Sequence, residues 1–292
     1  TAIYGSRASN GVVVITTVAP ASGKMAVRYN GDATFYMADL SDYNLCDSWE
    51  KLQLETLAGL YDIEKKTYYN RDKNSDRSVL EDAYNKRLAN VREEYQGKLK
   101  NVREGVNTYW LNKPLNKLTV AHKHSLRLDG GNDYIRYAME INYNNTPGVM
   151  KESGRERLGL GLELQYIYKN LTFRNNMTYD NVKSTNSPYG SFREYATLNP
   201  YYPYQDENGN YLKELEANSG ILGRKSVINP LYNTTLNVID ETSYSEFANN
   251  FGIDWYINAD LRLKGNFAIR HKKKRRYCIQ TGGSYRFRQL FR

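Results

Sequence analysis

The sequence predicts an all-β chain, a partial antiparallel transmembrane β-barrel of about seven strands, with an α-helical insertion after the first strand. Three observations predict it. Long segments alternate apolar and polar side chains with a period of two. The links between those segments alternate short and long without exception, as in barrels with tight turns on one side of a membrane and longer loops on the other. The composition is 40% hydrophobic with 27 Tyr, the mean hydropathy is −0.74, and no run comes near the roughly 20 apolar residues that a membrane helix needs. Those values exclude helical insertion. They leave a barrel open, because only every second residue of a barrel strand faces lipid.

In chain order, the first stretch, TAIYGSRASNGVVVITT, is turn-rich around Gly5, Ser6, Asn10 and Gly11 and runs into a β-branched strand, Val12 to Thr17. From Met25 to Met37 the odd positions (Met25, Val27, Tyr29, Ala33, Phe35, Met37) are apolar or small, and most of the even ones are polar. That is the first wall strand. Between residues 41 and 115 the period changes to helical. Asp47 with Glu50 forms a capping box, and Trp49, Leu52, Leu57 and Leu60 can share one helical face. Leu80, Tyr84, Leu88, Val91, Tyr95, Leu99 and Val102 step by three or four, the pattern of a long amphipathic helix packed on its own protein.

Alternation returns after Asn116. Leu118, Val120, Leu126 and Leu128 share a face interrupted by His122 and His124, and Ile135 to Tyr143, Leu158 to Tyr168 and Leu171 to Tyr179 each alternate cleanly. Phe247 to Ile257 and Leu261 to Ile269 do so again. These runs are longer than the usual five or six residues of a globular strand and suit tilted membrane strands of about 9 to 11 residues. The links are long (38–117), short (130–133), medium (146–156), short (Lys169, Asn170), long (184–242) and short (near Asn258). From Asn266 onward, through RHKKKRR, the alternation is read as ending. Residues 266–292 are therefore expected to be a basic tail from a frame shift or truncation of the coding sequence.

No catalytic constellation emerges, so no enzyme and no cofactor are expected. His122 and His124 sit at i and i+2 on one face without a carboxylate or Cys to complete a metal set, and they read as wall residues near a membrane interface. The glycines of the first stretch lack the G-x-x-x-x-G-K-[ST] pattern of a phosphate loop. Asp206 to Asn210 lacks the twelve-residue calcium-loop spacing and reads as a β-turn. Cys46 and Cys278 give no framework and are expected to be free. The net charge of +9 is concentrated in Arg270 to Arg276 and the arginines that follow, so it argues for no nucleic-acid partner of a folded domain. The link 184–242 is rich in rings, including Tyr195, Tyr201, Tyr202, Tyr204 and Tyr211. Rings with a polar tip suit a recognition surface, and packing against the barrel rim is the other reading.

The first stretch resembles the end of the plug domain of SusC/RagA-type TonB-dependent outer-membrane transporters, with Ala2, Ile3, Tyr4, Gly5, Ser6, Arg7, Asn10 and Gly11 carrying the signature. HSLRLDGGNDYIRYAMEINYNNTPGVMKESGRERLGLGLELQY (His124 to Tyr166) is similar to that family's early barrel hairpins, and NPYYPYQDENGNY (Asn199 to Tyr211) and INPLYN (Ile228 to Asn233) to its loop motifs. The resemblance implies a plug end over residues 1–20 and the first part of a barrel of roughly 22 strands over residues 24–265. It further implies an outer-membrane location, with TonB pulling on the plug through an N-terminal box and a SusD-like surface lipoprotein closing over glycan or peptide cargo. The signal peptide, the TonB box and most of the plug are not visible in this sequence, so a fragment inactive by itself is expected. The alternative is a soluble or surface β-rich carbohydrate-binding module with a basic tail.

Overall fold

A computed structural model of the chain describes residues 20–62, 76–219 and 225–279. The plug signature lies outside the described residues. Seven long strands form one antiparallel sheet in the order β1-β2-β3-β4-β5-β8-β9. They are β1 (Gly23–Tyr36), β2 (Thr119–Gly131), β3 (Ile135–Pro147), β4 (Gly154–Tyr168), β5 (Leu171–Thr185), β8 (Ile239–Tyr256) and β9 (Arg262–Ile279). Each strand pairs with its sequence neighbours in the sheet, so the topology is an unbroken meander. The sheet is open, because β1 and β9 each have one strand partner among the described residues.

Register turns the alternation of single strands into continuous rows. On one face, Tyr29, Leu126, Ile141, Leu160, Tyr179 and Phe247 stand opposite one another across six strands. The next row toward the short turns is Val27, Leu128, Met139, Leu162, Met177 and Asn249. The band ends at Tyr168, Leu171, Trp255 and Leu263. On β8 it runs from Phe247 to Trp255, the length of strand that crosses a hydrocarbon core. Many of its members stay exposed, Met25, Val27 and Tyr29 to about 60%. The opposite face carries ion pairs such as Arg28 with Asp129 at 3.1 Å and Arg157 with Asp180 at 2.7 Å. That face is the more enclosed, with Asp129, Ala138, Gln165, Val182 and Ala248 buried, as on the concave side of a curling sheet.

One end of the sheet has tight turns. Gly131 (φ +144) closes the β2–β3 hairpin, where a Cβ would sit 2.2 Å from the Ile135 carbonyl oxygen, and Lys169 (φ 49) with Asn170 joins β4 to β5. The other end carries everything else. There lie α1 (Ser48–Leu57), α2 (Arg77–Arg103), a 3-10 turn (Trp110–Asn112), α3 (Phe192–Ala196), the small hairpin β6 (Glu214–Ser219) with β7 (Lys225–Ile228), and a second 3-10 turn (Pro230–Thr235).

Two expectations change. The sheet does not stop at Asn266: β9 continues in register with β8 to Ile279, straight through the basic run. Alternation fades because the strand rises past the apolar band at Ile269, and beyond it both faces are polar on β8 as well, from Glu241 to Glu246. The cations on the enclosed face meet acids across the ladder, with Arg270 and Lys272 on Glu246 at 3.3 and 3.4 Å and Arg276 on Asp240 at 3.5 Å. Cross-strand pairs of this kind stabilise a ladder modestly. Second, Trp49, Leu52, Leu57 and Leu60 do not share a buried face. Leu52 is buried, while Trp49, Leu57 and Leu60 are exposed. The face of α1 that packs is Ser48, Leu52 and Glu55, a polar one that a search for apolar spacing passes over. The capping box is present as read, with the Glu50 amide donating to Asp47 at 2.8 Å and the Asp47 amide to Glu50 at 3.0 Å.

Candidate functional site

The two long insertions, one after β1 and one between β5 and β8, are joined at the end of the sheet away from the tight turns. The join begins at the backbone. The Thr108 amide donates to the Pro200 carbonyl at 2.8 Å, the Thr108 hydroxyl to the Tyr202 carbonyl at 2.8 Å, and the Trp110 indole to the Asn199 carbonyl at 2.8 Å. Asn101 of α2 adds a bond to the Tyr201 carbonyl at 3.1 Å. A small core sits behind these bonds, formed by Trp110, Tyr195, Tyr201, Tyr202 and Leu231. The Asn-Pro-Tyr-Tyr-Pro run therefore presents its carbonyls to the first insertion and its rings to the core.

Asn229 fastens the other side. It is fully buried; its amide donates to the Tyr204 and Leu212 carbonyls at 2.9 and 2.8 Å, and its side-chain oxygen accepts from the Leu231 amide at 3.1 Å. All three bonds lie within the 184–242 link, so the Ile228–Asn233 motif clips the Asn199–Tyr211 motif.

Ionisable groups accumulate beneath this join. Glu55 accepts from the Tyr201 hydroxyl at 3.0 Å and the Tyr61 hydroxyl at 2.7 Å, and pairs with Lys51 at 3.3 Å. On α2, Lys98 reaches Glu94 at 2.7 Å and Glu216 of β6 at 3.4 Å, and the Tyr202 hydroxyl donates to Glu216. Burial and a hydrogen bond with the Glu94 carboxyl push Glu216 up to about 7. Burial also drives Tyr61, Tyr201 and Tyr202 far above the usual phenol range, so all three act as neutral donors.

The five candidate tyrosines separate into two groups. Tyr195, Tyr201 and Tyr202 are at most 4% exposed, which corrects the expectation that these rings lie on an open surface; their hydroxyls are spent on Tyr189, Glu55 and Glu216. Tyr204 and Tyr211 remain half-buried with ring centroids 6.3 Å apart, and the Lys113 ammonium stands 3.8 Å over the Tyr204 ring. A cleft of about 400 Å³ opens between α1 and the second insertion, lined by Cys46, Lys51, Asn107, Trp110, Tyr195 and Asn199 and not by Tyr204 or Tyr211. Sequence reading missed Glu55, Glu94, Lys98 and Glu216. The available signal was charge on the packing stripe: Glu94 and Lys98 follow Val91 at helical spacing on α2.

The other candidates fall elsewhere. His122 and His124 stand at the upper edge of the apolar band, their ring centroids 5.2 Å apart, with His124 2.6 Å from the Tyr29 hydroxyl. Among the described residues no three His, Cys, Asp or Glu side chains converge as a metal site. Asp206 organises its own turn, accepting from the Asn208 and Asn210 amides at 2.9 and 2.8 Å. Cys46 and Cys278 are free and exposed.

An apolar band across an antiparallel meander, tight turns at one end and a packed, polar loop assembly at the other define a wall segment of a transmembrane β-barrel. The comparisons name the class. The chain is 25% identical over 283 residues to the TonB-dependent receptor SusC of Bacteroides thetaiotaomicron, covering 90% of this chain and 24% of that protein. Its fold matches the RagAB peptide importer in its closed-closed and open-open states with TM-score 0.63 and 17% identity, covering 94% of this chain and 31% and 30% of those chains. No family model matches. In sequence and in fold, this chain is similar to SusC/RagA-type TonB-dependent transporters, and it spans about a quarter of the curated relative it matches.

Proposed function

We propose that the chain forms part of the wall and outer mouth of an outer-membrane importer energised by TonB, taking up glycan or peptide cargo together with a SusD-like lipoprotein. The observation that supports this best is the sidedness of the sheet: the two insertions meet only at the end opposite the tight turns, where a barrel displays its external loops. The exposed apolar band argues against the alternative of a soluble β-rich binding module, since contiguous patches of that size are rare on soluble monomers. In this reading Tyr195, Tyr201 and Tyr202 hold the mouth in shape, and Tyr204 and Tyr211 face cargo or lid. TonB would act on the plug whose closing segment is Ala2 to Thr17. The chain alone, with its sheet open, would transport nothing.

The test is uptake of labelled glycan or peptide by the intact transporter carrying Tyr204→Ala and Tyr211→Ala. Uptake should fall several-fold at equal surface display. Unchanged uptake would remove these rings from the cargo path.

A further inference from the structure

The outward face of β9 changes character where the strand leaves the apolar band. Leu263, Phe267 and Ile269 lie in the band, and the outward positions that follow are His271, Lys273 and Arg275, all exposed. On the luminal face of the same strand, Arg270 and Lys272 meet Glu246, and Arg276 meets Asp240. Outside, Lys273 stands opposite Ser245 and Arg275 opposite Ser243, and neither has an ion pair or hydrogen bond among the described residues. Of the acids on that face, Glu241, diagonal to Arg275, pairs with Lys183 at 3.0 Å. Glu156 lies on β4, three strands from β9 and opposite Lys183.

Height places these cations at a lipid headgroup. Tyr143 and Tyr179, the last outward rings of β3 and β5, mark the edge of the band, as aromatic girdles do at a membrane interface. Lys273 lies four residues beyond Ile269, about 14 Å along the strand at about 3.4 Å per residue, or about 10 Å along the membrane normal at a tilt of about 40°. The headgroup layer adds roughly 5–7 Å to each side of the hydrocarbon, and a lysine stem reaches back toward it.

We propose that Lys273 and Arg275, with the Ser243 and Ser245 hydroxyls beside them, bind phosphate groups of the outer-leaflet lipid that covers the band. Two observations select that occupant: the cations are left without acids on the outward face alone, and the patch continues the lipid-facing wall. Anionic headgroups attract each Lys or Arg held near a membrane surface, and the serines opposite supply neutral donors instead of a competing carboxylate. The site rests on the reading of this sheet as the wall of an outer-membrane barrel, and it is independent of the cargo carried.

The test is native mass spectrometry of the intact transporter in neutral detergent, titrated with lipid A or with its dephosphorylated form. Lys273→Gln and Arg275→Gln should each weaken lipid A binding about fivefold, and the two together about 25-fold. Dephosphorylated lipid A should bind all forms equally. Lys274→Gln removes the same charge from the luminal face, opposite Tyr244, and should leave lipid A affinity within about twofold. Excess inorganic phosphate should not displace the lipid, because it has no chains to lie against the band. Undiminished lipid A binding by the double variant, an equal loss with Lys274→Gln or with the dephosphorylated lipid, or displacement by inorganic phosphate would each overturn the site. A heat-modifiable band on cold gels reports barrel formation separately. With that band present in every form, those outcomes remove the lipid site alone; without it in the unmodified transporter, the wall reading falls and the site with it.

Discussion

Asn229 shows how one side chain can fix the course of a long connection. Its amide and carbonyl satisfy the Tyr204 and Leu212 carbonyls and the Leu231 amide from a fully buried position. Buried polar groups left without a partner cost about 1–3 kcal/mol each. Asn229→Ala should therefore destabilise the second insertion by about 2–4 kcal/mol once partial relaxation is allowed for, read as lost exchange protection over residues 199–213 with the β2–β5 ladder unchanged. A retained protection pattern would mean that the loop is held by its aromatic core instead. At this scale the sequence announced the tyrosine cluster but not its orientation. Tyr201 and Tyr204 look alike in composition, yet one hydroxyl is bound to a buried carboxylate and the other ring lies under a lysine, a difference set by contacts to the first insertion, far away in the chain.

Among the elements, the strands were legible because each obeys a local rule, one face in lipid and one in the lumen, that repeats every second residue. β9 was cut short in the sequence reading for the same reason: the rule applies only inside the band, and above it Lys273 and Arg275 stand opposite Ser245 and Ser243 without any apolar partner. α1 failed in the opposite sense, since its packed face is Ser48 and Glu55 around Leu52. Its burial depends on a hydroxyl bond from Ser48 to the Val106 carbonyl at 2.5 Å and on Glu55's tyrosines. The two faces of the sheet can be separated by a matched pair of substitutions. Leu160 lies in the middle of the apolar row, and Thr178 lies on the opposite face, directly across from Gly161. In the intact transporter, Leu160→Arg should cost about 2–4 kcal/mol in a bilayer, and Thr178→Arg well under that, by reversible unfolding in lipid vesicles. Equal costs would contradict the assignment of the faces.

At the scale of the whole sheet, the governing fact is that, among the described residues, its seven strands are open at β1 and β9. β9 is 18 residues long, and about half of its N–H and C=O groups point away from β8, as they do on any strand paired along one side only. In water such an edge is a liability managed by charge, and β9 carries charge above the band. Inside hydrocarbon the remedy fails, because each unpaired backbone group there costs several kcal/mol, and Gly265, Phe267 and Ile269 place that part of the edge at membrane depth. The sheet must therefore pair with further strands, self-associate edge to edge, or stay out of the bilayer. Reconstituted alone into vesicles, the chain should give no uptake of labelled glycan or peptide above empty vesicles. It should also migrate as mixed oligomers, not as a heat-modifiable monomer, on cold gels. Uptake by this chain alone, or a single compact heat-modifiable band, would show that β1 and β9 find closure in a way that the described strands do not provide.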